Sequence, residues 1–119
     1  MKQVVTTNTA PAAVGPYSQA VKANGMVYVS GQIAPTAGDV VAQTQQVILQ
    51  LQAILKAAGS DLDQAVRVTV FMKDLAHFGA MNEVYSTMFT EPFAARVTVQ
   101  VAALPKDALV EIDCVATYE

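Results

Sequence analysis

Residues 96–113 read R-V-T-V-Q-V-A-A-L-P-K-D-A-L-V-E-I-D, and the reading of this stretch decides the fold. Two alternating runs flank a turn carrying Pro105, Lys106 and Asp107, the pattern of two strands joined as a hairpin. In the first run Val97, Val99 and Val101 point one way, and Arg96, Thr98 and Gln100 the other. In the second, Val110, Ile112 and Cys114 share a face, and Leu109, Glu111 and Asp113 share its opposite. This reading sets an arginine and a glutamate on facing strands of one sheet, so Arg96 and Glu111 are the first residues to test for function.

Working back from this stretch, Pro92 closes a helical pattern that Asp74 is suited to cap. Phe78, Met81, Asn82, Tyr85, Met88 and Phe89 form its stripe. Before it, V-R-V-T-V-F alternates cleanly as a strand over 65–72. A longer helix precedes that strand, with Val47, Ile48, Leu51, Ile54, Leu55 and Ala58 on one side and Gly59 as its C-terminal stop. Its glutamines (Gln43, Gln45, Gln46, Gln50 and Gln52) are assigned to the solvent side. Asn24-Gly25 joins two further strands, over 18–23 and 26–31, and residues 6–19 read as a loop or extended arm.

The order is ββαβαββ, with a short first strand as an addition, in one domain spanning 1–119. That is an α+β fold whose mixed sheet carries both helices on one face, because crossover connections share a hand. The other face has no cover within the chain, and the strand phases assign Tyr28, Ser30, Arg96, Thr98, Gln100 and Glu111 to it. Hydrophobic residues make up 53% of the chain and charged ones 14%, against roughly a quarter charged in an average domain. A sheet face this apolar is expected to pack on another copy, with its polar groups lining clefts between subunits.

Composition also excludes. The net charge is −3 and the seven Lys and Arg are scattered, which argues against a nucleic-acid partner. No apolar run approaches the roughly 20 residues of a membrane span, and residues 1–9 lack the character of a signal or transit peptide. No membrane partner and a cytoplasmic location are expected. His77 and Cys114 are the only histidine and cysteine; His77 reads as a surface residue and Cys114 as a small core residue. Neither a metal cage nor a Ser-His-Asp triad follows from them, and no glycine-rich nucleotide cradle occurs. No metal and no cofactor are expected.

Arg96 offers a planar fork of donors that suits a carboxylate. A structural ion pair with Glu111 or Asp113 is the alternative, Glu111 also reads as an ordinary strand residue, and Asn82 also reads as a buried hydrogen-bonding residue without a ligand. Spacing alone leads to an oligomeric α+β domain with a candidate anion-binding cleft.

At these residues the chain resembles the reactive intermediate deaminase family (RidA/YjgF). The likeness runs over G-P-Y-S-Q-A-V at 15–21, Y-V-S-G-Q-I at 28–33, A-A-G at 57–59, V-T-V-F-M-K-D at 68–74, N-E-V-Y at 82–85 and the whole of 96–113. The resemblance implies a chorismate-mutase-like homotrimer with ligand clefts between subunits. It also implies hydrolysis of 2-imino and enamine acids, such as 2-aminoacrylate and 2-iminopropanoate, to 2-keto acids and ammonia. The alternative is a metabolite-binding module that holds keto acids in the same cleft without turnover. By the resemblance Arg96 anchors the substrate carboxylate, Glu111 holds or activates the attacking water, and Tyr17, Ser30, Gly31, Asn82 and Thr98 line the substrate site. Thr98 stands where many close family members carry cysteine, and the segment between Gln32 and Gln43 looks shorter than the family's usual loop.

Overall fold

The computed structural model describes all 119 residues. Six strands form one sheet: β1 (Gln3–Val5), β2 (Ala20–Ala23), β3 (Met26–Gln32), β4 (Ala65–Met72), β5 (Ala95–Gln100) and β6 (Val110–Thr117). The two α-helices are α1 (Val40–Ala57) and α2 (Phe78–Met88). The strand order is β1-β2-β3-β6-β4-β5. Asn24 and Gly25, both at positive φ, turn β2 into β3 as the sequence leads one to expect.

The hairpin expected over 96–113 does not form. β5 lies at the sheet edge and pairs in parallel with β4, while β6 pairs antiparallel with β4 on its other side and with β3. The connection over 101–109 steps across the end of β4: Val101 N donates to Met72 O at 2.9 Å and Lys73 N to Leu109 O at 3.1 Å. Crossing one strand takes roughly 10 Å, well within the reach of this connection. Alternation cannot reveal such a step, because it is the same for adjacent strands and for strands with a third between them.

The new order changes which residues share a face. Arg96, Thr98 and Gln100 register with Val68, Val70 and Met72, which are fully buried beneath the helices. Arg96, Thr98 and Gln100 are therefore on the helix-bearing face and not on the open one. Val97 and Val99, each 38% exposed, take the open face. Glu111 registers with Phe71 there, alongside Tyr28, Ser30 and Asp113.

Both helices cover the other face. Val47, Ile48, Leu51, Ile54 and Leu55 of α1 and Met81 and Tyr85 of α2 meet Val27, Val68, Val70, Val110, Ile112 and Cys114 in one core. A Schellman arrangement ends α1, with Gly59 N donating to Lys56 O and Ser60 N to Leu55 O. Two of its glutamines, Gln43 and Gln50, are buried rather than solvated. Gln43 accepts from Leu109 N and Gln50 Nε2 donates to both Gln32 Oε1 and Ile33 O. These bonds satisfy backbone that strand ends leave unpaired, which is why amides are tolerated in the core. Asp74 caps a single 3-10 turn, Leu75–His77, and α2 follows it, ending at Phe89 before Pro92 is reached. No helix is long and apolar enough to cross a membrane.

Candidate functional site

The residues singled out from the sequence fall into two groups on opposite faces of the sheet. The first lies where α2 meets the edge strand. Asn82, Tyr85, Ser86, Phe93, Ala94 and Arg96 line a cleft of about 280 Å³. Arg96 is half-buried, and its guanidinium lies over the rings of Tyr85, at 4.6 Å, and Phe78, at 5.7 Å. The alternative of an ion pair with Glu111 or Asp113 is overturned, because both carboxylates project from the other face. Thr98, two residues along, is half-buried on the same face as Arg96, and its Oγ1 is buried without a hydrogen-bond partner.

The second group gathers around β3 and the arm before β2. Tyr17, Ser18, Tyr28, Ser30 and Lys2 line an open cleft of about 630 Å³. The arm is held by Gln19, whose buried amide accepts from Thr7 N at 2.8 Å and donates to Pro11 O at 2.8 Å. Ser30 N in turn donates to Gln19 O, and Ser30 Oγ donates to Ser18 O at 2.6 Å. Tyr17 is 51% exposed above this frame. Nothing in the spacing of the sequence singled out Gln19 as the residue that ties Tyr17 to the sheet.

β3 bulges between Val29 and Gln32, which leaves Ser30 and Gly31 opposite Asp113 and brings Gly31 beside the Glu111 side chain. A Cβ at Gly31 would collide with Glu111 Oε2 and stand 3.0 Å from Glu111 Cδ. Gly31 is there because the carboxylate occupies the space a side chain would take. Burial pushes the Glu111 carboxyl above its ordinary range, and neighbouring Asp113 adds to the rise. Glu111 thus holds a proton to higher pH than a solvated carboxylate does.

His77 is exposed and Cys114 is buried, its thiol pushed up to about 12 mainly by burial. No cluster of three His, Cys, Asp or Glu side chains is placed to hold a metal ion.

Arg96 and Glu111 cannot serve one ligand within one chain. β4 separates their strands and they are three residues out of register, since Arg96 aligns with Val68 and Glu111 with Phe71. That separates their Cα atoms by roughly 14 Å, with side chains on opposite faces. Each face carries one of the two residues singled out from the sequence, beside its own cleft.

Residues 7–118 match the family model described as Endoribonuclease L-PSP. The chain is 48% identical to Reactive Intermediate Deaminase A, chloroplastic, of Arabidopsis thaliana, over 98% of this chain and 66% of that one. It is 43% identical to the mouse 2-iminobutanoate/2-iminopropanoate deaminase, over 98% and 91% of the two chains. The crystal structure of RidA from an Antarctic Psychrobacter superposes with a TM-score of 0.92 at 43% identity, covering 97% of this chain and 98% of the other.

Proposed function

This chain belongs to the reactive intermediate deaminase (RidA/YjgF) family, and we propose that it hydrolyses 2-imino and enamine acids to 2-keto acids and ammonia in clefts between the subunits of a homotrimer. The observation that carries this reading is the division of the site residues between two faces of one sheet. In a ring of copies, the Arg96 and Asn82 edge of one subunit meets the Tyr17, Ser30, Gly31 and Glu111 face of its neighbour. The apolar open face, with Val97 and Val99 exposed, supplies the surface that such packing would bury.

The chemistry asks little of the protein. In a 2-imino acid the carboxylate carbon and the imine carbon are joined by one bond of about 1.5 Å, so a carboxylate anchor places the reacting carbon within a narrow range. Arg96 of one subunit binds the carboxylate through its in-plane N–H groups. Water held by Glu111 of the neighbour adds its oxygen to the imine carbon. Both protons of the water pass by way of the Glu111 carboxylate to the nitrogen, the first as the oxygen adds and the second as the oxygen forms its double bond to carbon; the carbon–nitrogen bond then breaks, and ammonia and the 2-keto acid leave. The imine carbon is already electrophilic, so positioning and proton transfer worth roughly 10²–10⁴-fold suffice. Tyr17, on its exposed arm, covers the bound acid.

The test generates 2-iminopropanoate in place with an amino-acid oxidase and follows its capture by semicarbazide. The native protein is expected to divert the imine to pyruvate and Arg96→Ala to fail while keeping its oligomeric state. Undiminished activity in Arg96→Ala would end this reading. Keto-acid binding with no rate enhancement would select the metabolite-binding module instead.

A further inference from the structure

Arg96 has no carboxylate partner on its face of the sheet, yet the residue is half-buried and its guanidinium lies over two side-chain rings. Aromatic rings take the place of a counter-ion. Tyr85, 5% exposed, stacks on Phe89 with centroids 4.2 Å apart and planes 21° from parallel. A ring has two faces, and with Phe89 on one the other is left to the guanidinium at 4.6 Å. Phe78 adds a second ring at 5.7 Å from two turns of α2 earlier. Both distances lie within the range of a cation–π contact.

We propose that Tyr85 and Phe78 are positioning residues that orient Arg96 for the substrate carboxylate, an inference that rests on Arg96 being the carboxylate anchor. Rings contact a guanidinium through its faces, whereas a carboxylate contacts it through the N–H groups in its plane. A structural Asp or Glu would occupy the same edge that the ligand needs. Rings hold the group flat and leave that edge open to the cleft shared with Asn82 and Ser86. The Tyr85 ring is the functional part and its hydroxyl is not: Oη is buried with no hydrogen-bond partner, so it presents no donor to the cleft. Burial raises the Tyr85 pKa, although the nearby Arg96 charge works against the rise, so the phenol stays neutral.

Two readouts test this on the intact oligomer. In the proton–nitrogen spectrum, the Arg96 Nε–H signal, assigned by its loss in Arg96→Ala, is expected upfield of the usual arginine range through the ring current. It should return to that range in Tyr85→Leu and stay shifted in Tyr85→Phe. An unshifted Arg96 signal in the native protein overturns the proposal whatever the protein's activity. In calorimetry, pyruvate is expected to bind roughly 2- to 30-fold more weakly to Tyr85→Leu, the range a lost cation–π contact spans. Phe78→Leu should move affinity the same way; Phe78 is 38% exposed, so its replacement leaves folding intact. The conservative Tyr85→Phe is expected to restore what Tyr85→Leu loses. Tyr85→Phe binding as weakly as Tyr85→Leu would assign the role to the hydroxyl and overturn the proposal. Arg96→Ala binding pyruvate as well as native protein would instead sink the functional reading, with the Nε–H shift still judging the ring contact.

Discussion

Two inactive variants, each missing one half of the site, are expected to rescue one another. On the proposed function, Arg96→Ala removes the carboxylate anchor from the helix-bearing face, and Glu111→Gln removes the water-holding carboxylate from the open face. Because the two side chains are roughly 14 Å apart at their Cα atoms and point in opposite directions, a site that uses both cannot form within one chain. If each site draws Arg96 from one subunit and Glu111 from its neighbour, then random mixing of equal amounts leaves both residues native at about one site in four. Half of the arginine donors are then Glu111→Gln chains with Arg96 intact, and half of their neighbours are Arg96→Ala chains with Glu111 intact. The assay is imine-to-keto-acid turnover after the two variants are unfolded together and refolded, against each refolded alone. Recovery to about a quarter of native activity is the expected result. A mixture no more active than the sum of its parts would refute the composite site, and with it the use of both faces for one ligand.

Other outcomes follow from the same geometry. Gly31→Ala should push the Glu111 carboxylate from its place and lower kcat by roughly 10²-fold, with the melting temperature little changed, because the displaced atoms end a flexible side chain. Turnover should fall as pH drops through the raised Glu111 pKa, at a pH above the ordinary carboxylate range, and this limb should vanish from any residual activity of Glu111→Gln. Stability has the opposite sign: a carboxyl raised in the folded state favours folding at acid pH and loses that contribution as pH rises through its folded pKa. Glu111→Gln is therefore expected to be more stable than native near neutrality, with the gap closing below the ordinary glutamate pKa, as read by denaturant titration across pH. Gln50→Leu should cost about 1–3 kcal/mol by the same titration, since it leaves Gln32 Oε1 and Ile33 O without their donor.

Several elements were legible before any coordinates. The alternation of V-R-V-T-V-F gave β4 its range of 65–72, Asn24-Gly25 gave the β2–β3 turn, and the stripe from Val47 to Ala58 gave α1 its buried side. These follow from local periodicity, which depends only on neighbours a few residues away. The pairing of Gln43 with Leu109 and of Gln50 with Gln32 was not legible. A glutamine looks the same in sequence whether its amide meets water or a strand end 66 residues away.

The candidate residues themselves, Arg96, Glu111, Tyr17, Ser30, Gly31, Asn82 and Thr98, came from sequence, through residue chemistry and family likeness. Sequence by itself also determined the alternation within each strand, so Arg96 and Thr98 had to share one face of β5 and Glu111 and Asp113 one face of β6. It did not determine how the two strands' faces correspond. Inserting β4 between β5 and β6 put Arg96 over the helices and Glu111 on the open face. That choice rests on long-range pairing: β6 buries Val110, Ile112 and Cys114 best as a central strand, flanked by β3 and β4, while β5 is left at the edge where Val97 and Val99 remain exposed. The tertiary structure alone decided that Arg96 and Glu111 stand on opposite faces of one sheet.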